Sequence, residues 1–151
     1  MTLSYDTIFS RYRGRIDDPK ELSLNEADLN EIYYERLHMV IGDPRVVAKF
    51  SELSLDDDFE EVTFTLKNSV SNLSDTEFVT KLFSLGMEIE WLKPQVDSID
   101  YTHRWVGTKE EKSLQNPYKQ MQDRLAKLEK QFSMLIMSYG YINNPYLRGD
   151  S

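Results

Sequence analysis

Apolar residues recur every three to four positions over four stretches of the chain, and this spacing predicts amphipathic helices. The first spans residues 4–15, with Tyr5, Ile8, Phe9, Tyr12 and Ile16 on one face; Gly14 and then Asp17-Asp18-Pro19 end it. The second opens at Ser23, where Ser23-Leu24-Asn25-Glu26 matches a capping box. Leu29, Ile32, Tyr33, Arg36, Leu37, Val40 and Ile41 share its face, and Gly42-Asp43-Pro44 stops it. The third opens at a second capping box, Ser74-Asp75-Thr76-Glu77, with Leu73 and Phe78 at the positions of a hydrophobic staple. Phe78, Leu82, Leu85, Ile89 and Leu92 form its stripe, which Val79, Phe83, Met87 and Trp91 widen. So broad an apolar surface predicts a central helix touched on several sides. Gly86 within it costs about 1 kcal/mol against alanine, so a neighbour packed closely at that point is the expected reason for it. Pro94 is expected to end or kink this helix.

Between the second and third helices the period changes to two. Val62-Thr63-Phe64-Thr65-Leu66 alternates as a half-buried strand does. Val46 to Phe50 reads as its partner strand or as a short helix, with Leu53 to Asp58 as the connection, giving a small hairpin near 46–67. The pattern weakens over 95–115, which predicts a loop carrying at most a short helix and anchored by Trp105. The last helix is expected to begin at Pro117, after Asn116 as cap. Tyr118, Met121, Leu125, Leu128, Phe132, Leu135 and Tyr139 then alternate in steps of three and four, the seam spacing of a coiled coil. Its second half, Phe132-Ser133-Met134-Leu135-Ile136-Met137, is apolar nearly all round, and Gly140 ends it. The partner of this seam is either another subunit or the stripe of residues 78–92. Beyond it, Tyr141, Ile142, Tyr146 and Leu147 follow no period; such a tail either docks on its own domain or extends onto a neighbour.

The expected fold is therefore mainly α: a bundle of about four helices with a small β-hairpin, forming a single domain over 1–140, and an extended C-terminal arm over 141–151. Phe78, Leu82, Gly86, Ile89 and Trp91 are the expected packing positions. Leu125, Leu128, Phe132, Leu135, Tyr139, Tyr141, Ile142, Tyr146 and Leu147 are the expected interaction residues.

Composition narrows the possible functions. The chain has 151 residues, about one domain, and 40% hydrophobic content, which is ordinary for a folded core. There is no cysteine, which excludes disulfides, thiolate nucleophiles and cysteine zinc sites. No stretch approaches the ~20 apolar residues of a membrane span, and the first residues lack the basic and apolar regions of a secretory signal. A soluble, intracellular chain is expected. The net charge of −8 repels a phosphate backbone, so gripping nucleic acid is disfavoured, whereas DNA passing nearby without being held is compatible with it.

Candidate chemistry is sparse. Asp56-Asp57-Asp58 with Glu60 and Glu61 is acidic enough for a cation loop, but the glycine and terminal glutamate of a calcium hand are missing in register. The run reads as a solvated turn, and no metal or cofactor is expected. His38 and His103 are the only histidines, and no carboxylate pattern joins them. No nucleophile elbow, zinc-protease motif, phosphate loop or dinucleotide fingerprint occurs, so no enzyme is expected. Arg148-Gly149-Asp150 spells an adhesion tripeptide, too short to weigh against a polar terminus.

The run Gly86-Met87-Glu88-Ile89-Glu90-Trp91-Leu92-Lys93-Pro94-Gln95-Val96 resembles a family of small virion-associated proteins of tailed bacteriophages. The similarity extends to Phe50-Ser51-Glu52-Leu53-Ser54-Leu55-Asp56-Asp57, to Leu66-Lys67-Asn68-Ser69, to the Lys109-Glu110-Glu111-Lys112 core of residues 107–112, and to Gly140-Tyr141-Ile142-Asn143-Asn144 with Tyr146-Leu147. None of these blocks is a catalytic signature. The resemblance implies a structural role in the virion neck, as a head–tail connector or adaptor, with the host cytoplasm as its place before assembly. It further implies a homo-oligomeric ring beneath the portal, a dodecamer being one candidate size. The partners would be the portal and the tail or stopper proteins, with DNA passing through the lumen unbound and no membrane involved. Two other readings stand beside it. One is a non-virion phage regulatory protein that binds a host or phage partner through its C-terminal helix; the other is a hydrolase or metal enzyme built from scattered carboxylates.

Overall fold

The computed structural model describes residues 1–105 and 108–140, and side-chain surroundings for 1–98 and 118–140. The expected arm, 141–151, lies outside the described residues, as do the side chains of Trp105 and His103.

Among the described residues the chain is mainly helical, with six helices and a small antiparallel sheet. Strand β1 (Thr2–Ser4) leads into α1 (Tyr5–Arg13), whose first turn is capped by the Ser4 hydroxyl accepting from the Asp6 amide at 3.2 Å. A short helix, α2 (Pro19–Leu22), follows with Asp18 as cap. Helix α3 (Glu26–Ile41) begins two residues later than the expected capping box. Asn25 is the cap, accepting from the Asp28 amide at 2.8 Å, because the Ser23 hydroxyl instead donates to the Lys20 carbonyl at 2.7 Å. Another short helix, α4 (Pro44–Val47), is capped by Asp43. The alternatives left open for Val46 to Phe50 resolve there: the segment is helical first and turns into a strand only at Phe50.

Strands β2 (Phe50–Asp56) and β3 (Glu61–Leu66) pair antiparallel, and β1 pairs with the other edge of β3, giving the order β1-β3-β2. The expected isolated hairpin is thus part of a three-stranded sheet. Leu53 and Leu55, expected in a connection, lie in β2, and only residues 57–60 turn. Asp56 holds that turn by accepting from the Asp58 and Phe59 amides at 3.0 and 3.1 Å, and Glu60 takes a left-handed backbone with φ 55°. On β3 the alternation follows the sequence: Val62, Phe64 and Leu66 are buried while Glu61 and Thr65 face water.

Helix α5 (Asn72–Trp105) is the spine of the molecule, about 50 Å long at 1.5 Å per residue. It starts two residues before the expected capping box. The Ser74 amide donates to the Ser71 hydroxyl at 3.1 Å, and Leu73, 83% exposed, staples nothing. Asp75 turns inward instead. Pro94 does not end the helix, which continues past it to Trp105. The expected loop at 95–115 is helical on both sides of residues 106–107, and α6 (Thr108–Ser138) begins well before Pro117. A proline ring costs one backbone hydrogen bond, which a helix held by its neighbours can absorb.

Helices α1, α3 and α6 all pack on α5, and Phe50 reaches it from the sheet with its ring 6.0 Å from that of Phe83. Every residue from 82 to 89 is buried, more than two full turns with no face to solvent. The packing positions Phe78, Leu82, Gly86, Ile89 and Trp91 all lie in this core. Gly86 marks the closest approach. A Cβ there would stand 2.6 Å from Val40 Cγ1 and 3.2 Å from Phe132 Cε2, so α3 and α6 both press on the helix at the point where it lacks a side chain.

Candidate interaction surface

The seam of α6 is matched inside the chain. Leu128 and Phe132 are buried against α5, and Tyr118, Met121, Leu125, Leu135 and Tyr139 pack partly buried on the same core. Of the two partners open to the seam, residues 78–92 of the same chain supply the one seen. Leaving the seam satisfied exposes a different part of the helix. Met134 is 59% and Met137 77% exposed on its outer side.

Grooves run along both flanks of α6. One, of about 390 Å³, lies between α3, α4, α5 and α6, with Val40, Gly86, Ile89 and Phe132 as its apolar lining. Asp43, Arg45, Glu90, Lys93, Glu129 and Lys130 give it charges of both signs. Arg45 bridges its two walls: its guanidinium donates to Ser133 Oγ at 3.0 Å and lies 5.4 Å from the Phe132 ring centre, while Asp43 pairs with it at 2.8 Å. The opposite groove is lined by Arg15, Lys81, Leu85, Gln131, Met134 and Leu135.

The C-terminal end of α6 is fixed tightly. The Tyr139 ring stacks on Phe78 with centres 4.0 Å apart and planes 10° from parallel, and its hydroxyl donates to Asp75 Oδ1 at 2.6 Å. Burial and that carboxylate push the Tyr139 phenol up. Burial alone would raise Asp75 as well, but donors outweigh it: the Ser69 and Tyr139 hydroxyls and the Val70 amide hold its carboxyl below the usual range. Lys49 Nζ donates to the Tyr139 carbonyl at 3.1 Å, and burial pulls its amine down. Gly140 follows with φ +77°, where a Cβ would stand 2.5 Å from the Asn68 carbonyl, so glycine alone fits. Tyr141, Ile142, Tyr146 and Leu147 lie outside the described residues.

The titratable clusters act as braces between elements. His38 Nε2 lies 2.9 Å from Asp57 Oδ2, and the buried Tyr5 hydroxyl donates to Asp57 Oδ1 at 2.6 Å. Those contacts, that of Tyr5 foremost, hold the Asp57 carboxyl below the usual range. They tie α1 and α3 to the β2–β3 turn. The sequence signal was an aspartate run at a turn, whose distance from His38 is set only by how the sheet lies on α3. Glu88, buried in mid-α5, takes Arg15 at 3.2 Å and Arg124 at 2.9 Å. The Arg124 guanidinium lies 5.3 Å from the Trp91 ring centre, and the Trp91 indole donates to Asp18 at 2.8 Å. Glu21 pairs with Arg36, which also donates to the Tyr12 hydroxyl at 2.6 Å. These charges pin the α1–α3 connection to the α5–α6 pair. Among the described residues no group of three or more histidine or carboxylate side chains is placed to hold a metal ion, and no helix is long and apolar enough to cross a membrane.

Comparison with protein-family models, with curated proteins and with solved structures returns no match for this chain.

Proposed function

We propose that this chain is a structural assembly subunit, a protein whose work is to bind copies of itself and other proteins. More narrowly, we propose a head–tail connector or adaptor in the neck of a tailed bacteriophage, ringed beneath the portal with DNA passing through the lumen. The observation that carries the first step is the outer side of α6. Methionines exposed at 59% and 77% stand on a helix whose regular seam is already used, and flexible thioether side chains suit a surface that adapts to a partner. The second step rests on the sequence resemblance alone. The net charge of −8 supports a lumen through which DNA slides without being trapped.

Mass spectrometry of purified virions tests this reading. The chain should be present at a copy number suited to a ring, and in solution Met134→Glu with Met137→Glu should abolish oligomers or portal-dependent assembly seen by light scattering. Absence from particles overturns the neck role. The same exposed methionines then favour the regulator, which would bind its host or phage partner through α6 and never be packaged.

A further inference from the structure

Two unlike surfaces stand on opposite flanks of α6. One is the recess at Gly86, of about 390 Å³, with Val40, Ile89 and Phe132 as its apolar lining and Met39, 51% exposed, beside them. That volume is near the lower end of the range for ligand pockets, about 300–1,000 Å³, so the recess admits a side chain or two and not a helix. The other surface is a knob: Met134, 59% exposed, in the groove it shares with Lys81, Leu85 and Gln131. The buried stripe of Leu128, Phe132 and Ile136 lies between recess and knob, so within one molecule they do not meet. Between two molecules they can.

Charge separates the two surfaces as well. Beside the recess, Asp43 pairs with Arg45 at 2.8 Å and Glu129 acts on the same guanidinium, which leaves an excess negative charge at that corner. Glu90 pairs with Lys93 at 3.2 Å, and Lys130 is the remaining cation of the rim. Beside the knob the balance is reversed. Lys81 and Arg11 both act on Glu77, and Arg15 and Arg124 share Glu88, so cations are in excess there. Two copies meeting knob to knob would bring Lys81 near Lys81 and leave both recesses open. Meeting knob to recess, they bring Lys81 to Glu129.

We propose that the recess receives a second copy of this chain: Met134 of one subunit seats at Gly86 of the next, a head-to-tail contact between unlike surfaces. Such a contact leaves a free recess at one end and a free knob at the other, so it propagates, closing into a ring or extending into a filament according to the rotation between copies. Its use in a ring rests on the neck reading above; the pairing of the two surfaces does not.

The chain has no cysteine, so single exposed residues can be tagged in the full-length protein. Met134→Cys and Met39→Cys, mixed in equal amounts and oxidised, should give the mixed 39–134 disulfide dimer in about tenfold excess over either like pair. A statistical distribution of the three dimers, or an excess of a like pair, overturns the proposal. Adding Lys81→Glu to the Met134→Cys chain should lower the mixed yield several-fold, and Glu129→Lys in the Met39→Cys chain should restore it. An unchanged yield with Lys81→Glu, or no recovery with Glu129→Lys, overturns the register that sets knob against recess. Both readouts use the purified chain, so absence from virions would remove the neck reading and leave this contact standing, while a virion protein without the mixed dimer would do the reverse.

Discussion

Helices α5 and α6 are of similar length and lie against one another, yet they use their apolar residues in opposite ways. In α5 every residue from 82 to 89 is buried, including Ser84 and Glu88, because α1, α3, α6 and the sheet close on it from all sides. In α6 burial follows one stripe, through Leu128, Phe132 and Ile136, and the methionines beside it stay in water. The difference separates residues that make the fold from residues that the fold leaves over. A helix inside the core can be apolar all round at no cost in solubility, while surplus apolar surface on a covering helix is available for a partner.

The contrast breaks most visibly in the core of α5. Leu82→Ala removes a side chain with no solvent exposure and should cost about 3–4 kcal/mol in urea unfolding. Gly86→Ala comes next: helix propensity alone would favour alanine by about 1 kcal/mol, but Val40, buried and branched, stands 2.6 Å from the new methyl. A net loss of about 1–3 kcal/mol is expected, and Val40→Ala in the same chain should recover part of it.

Asp75 gives a smaller and pH-dependent effect. Its carboxyl lies below the usual range when folded, so the stability it contributes is present above the unfolded value of about 4 and is lost as pH falls through the folded one. Stability measured from pH 6 downward should therefore fall less steeply in Asp75→Asn than in the parent chain. The smallest change is expected on the outer side of α6, where Met137→Ala should stay within about 0.5 kcal/mol of the parent. A loss there as large as that of Leu82→Ala would mean that Met137 is covered in solution.

Much of this division was legible in the sequence. The wide stripe from Phe78 to Leu92 announced a helix packed on several sides, and a glycine within it announced a close neighbour, because only contact offsets its helix penalty. The alternation of Val62 to Leu66 announced a half-buried strand. Boundaries were less legible. Ser23 and Ser74 both open sequences that fit capping boxes, but Asn25 caps α3 and Ser71 accepts the first-turn amide of α5; a short polar side chain caps whichever amide its neighbours leave free. Residues 95–115 read as a loop because their pattern is weak, yet both helices extend into them, since the length of a helix is set as much by the partner beside it as by its own residues. The pairing of His38 with Asp57 gave no local signal, being fixed by the placement of a turn against a helix 19 residues away.

What the sequence determined by itself was the set of local preferences: where helices and strands form, which face of each is apolar, and that the chain carries neither cysteine chemistry nor a local catalytic motif. The tertiary structure decided which apolar face meets which. The seam of α6 reads the same whether its partner is another subunit or α5, because periodicity records that a stripe must be covered and not by what. Only the packing of α5 against α6 at Gly86 shows that this stripe is satisfied within the chain, and only then do Met134 and Met137 stand out as apolar side chains left exposed.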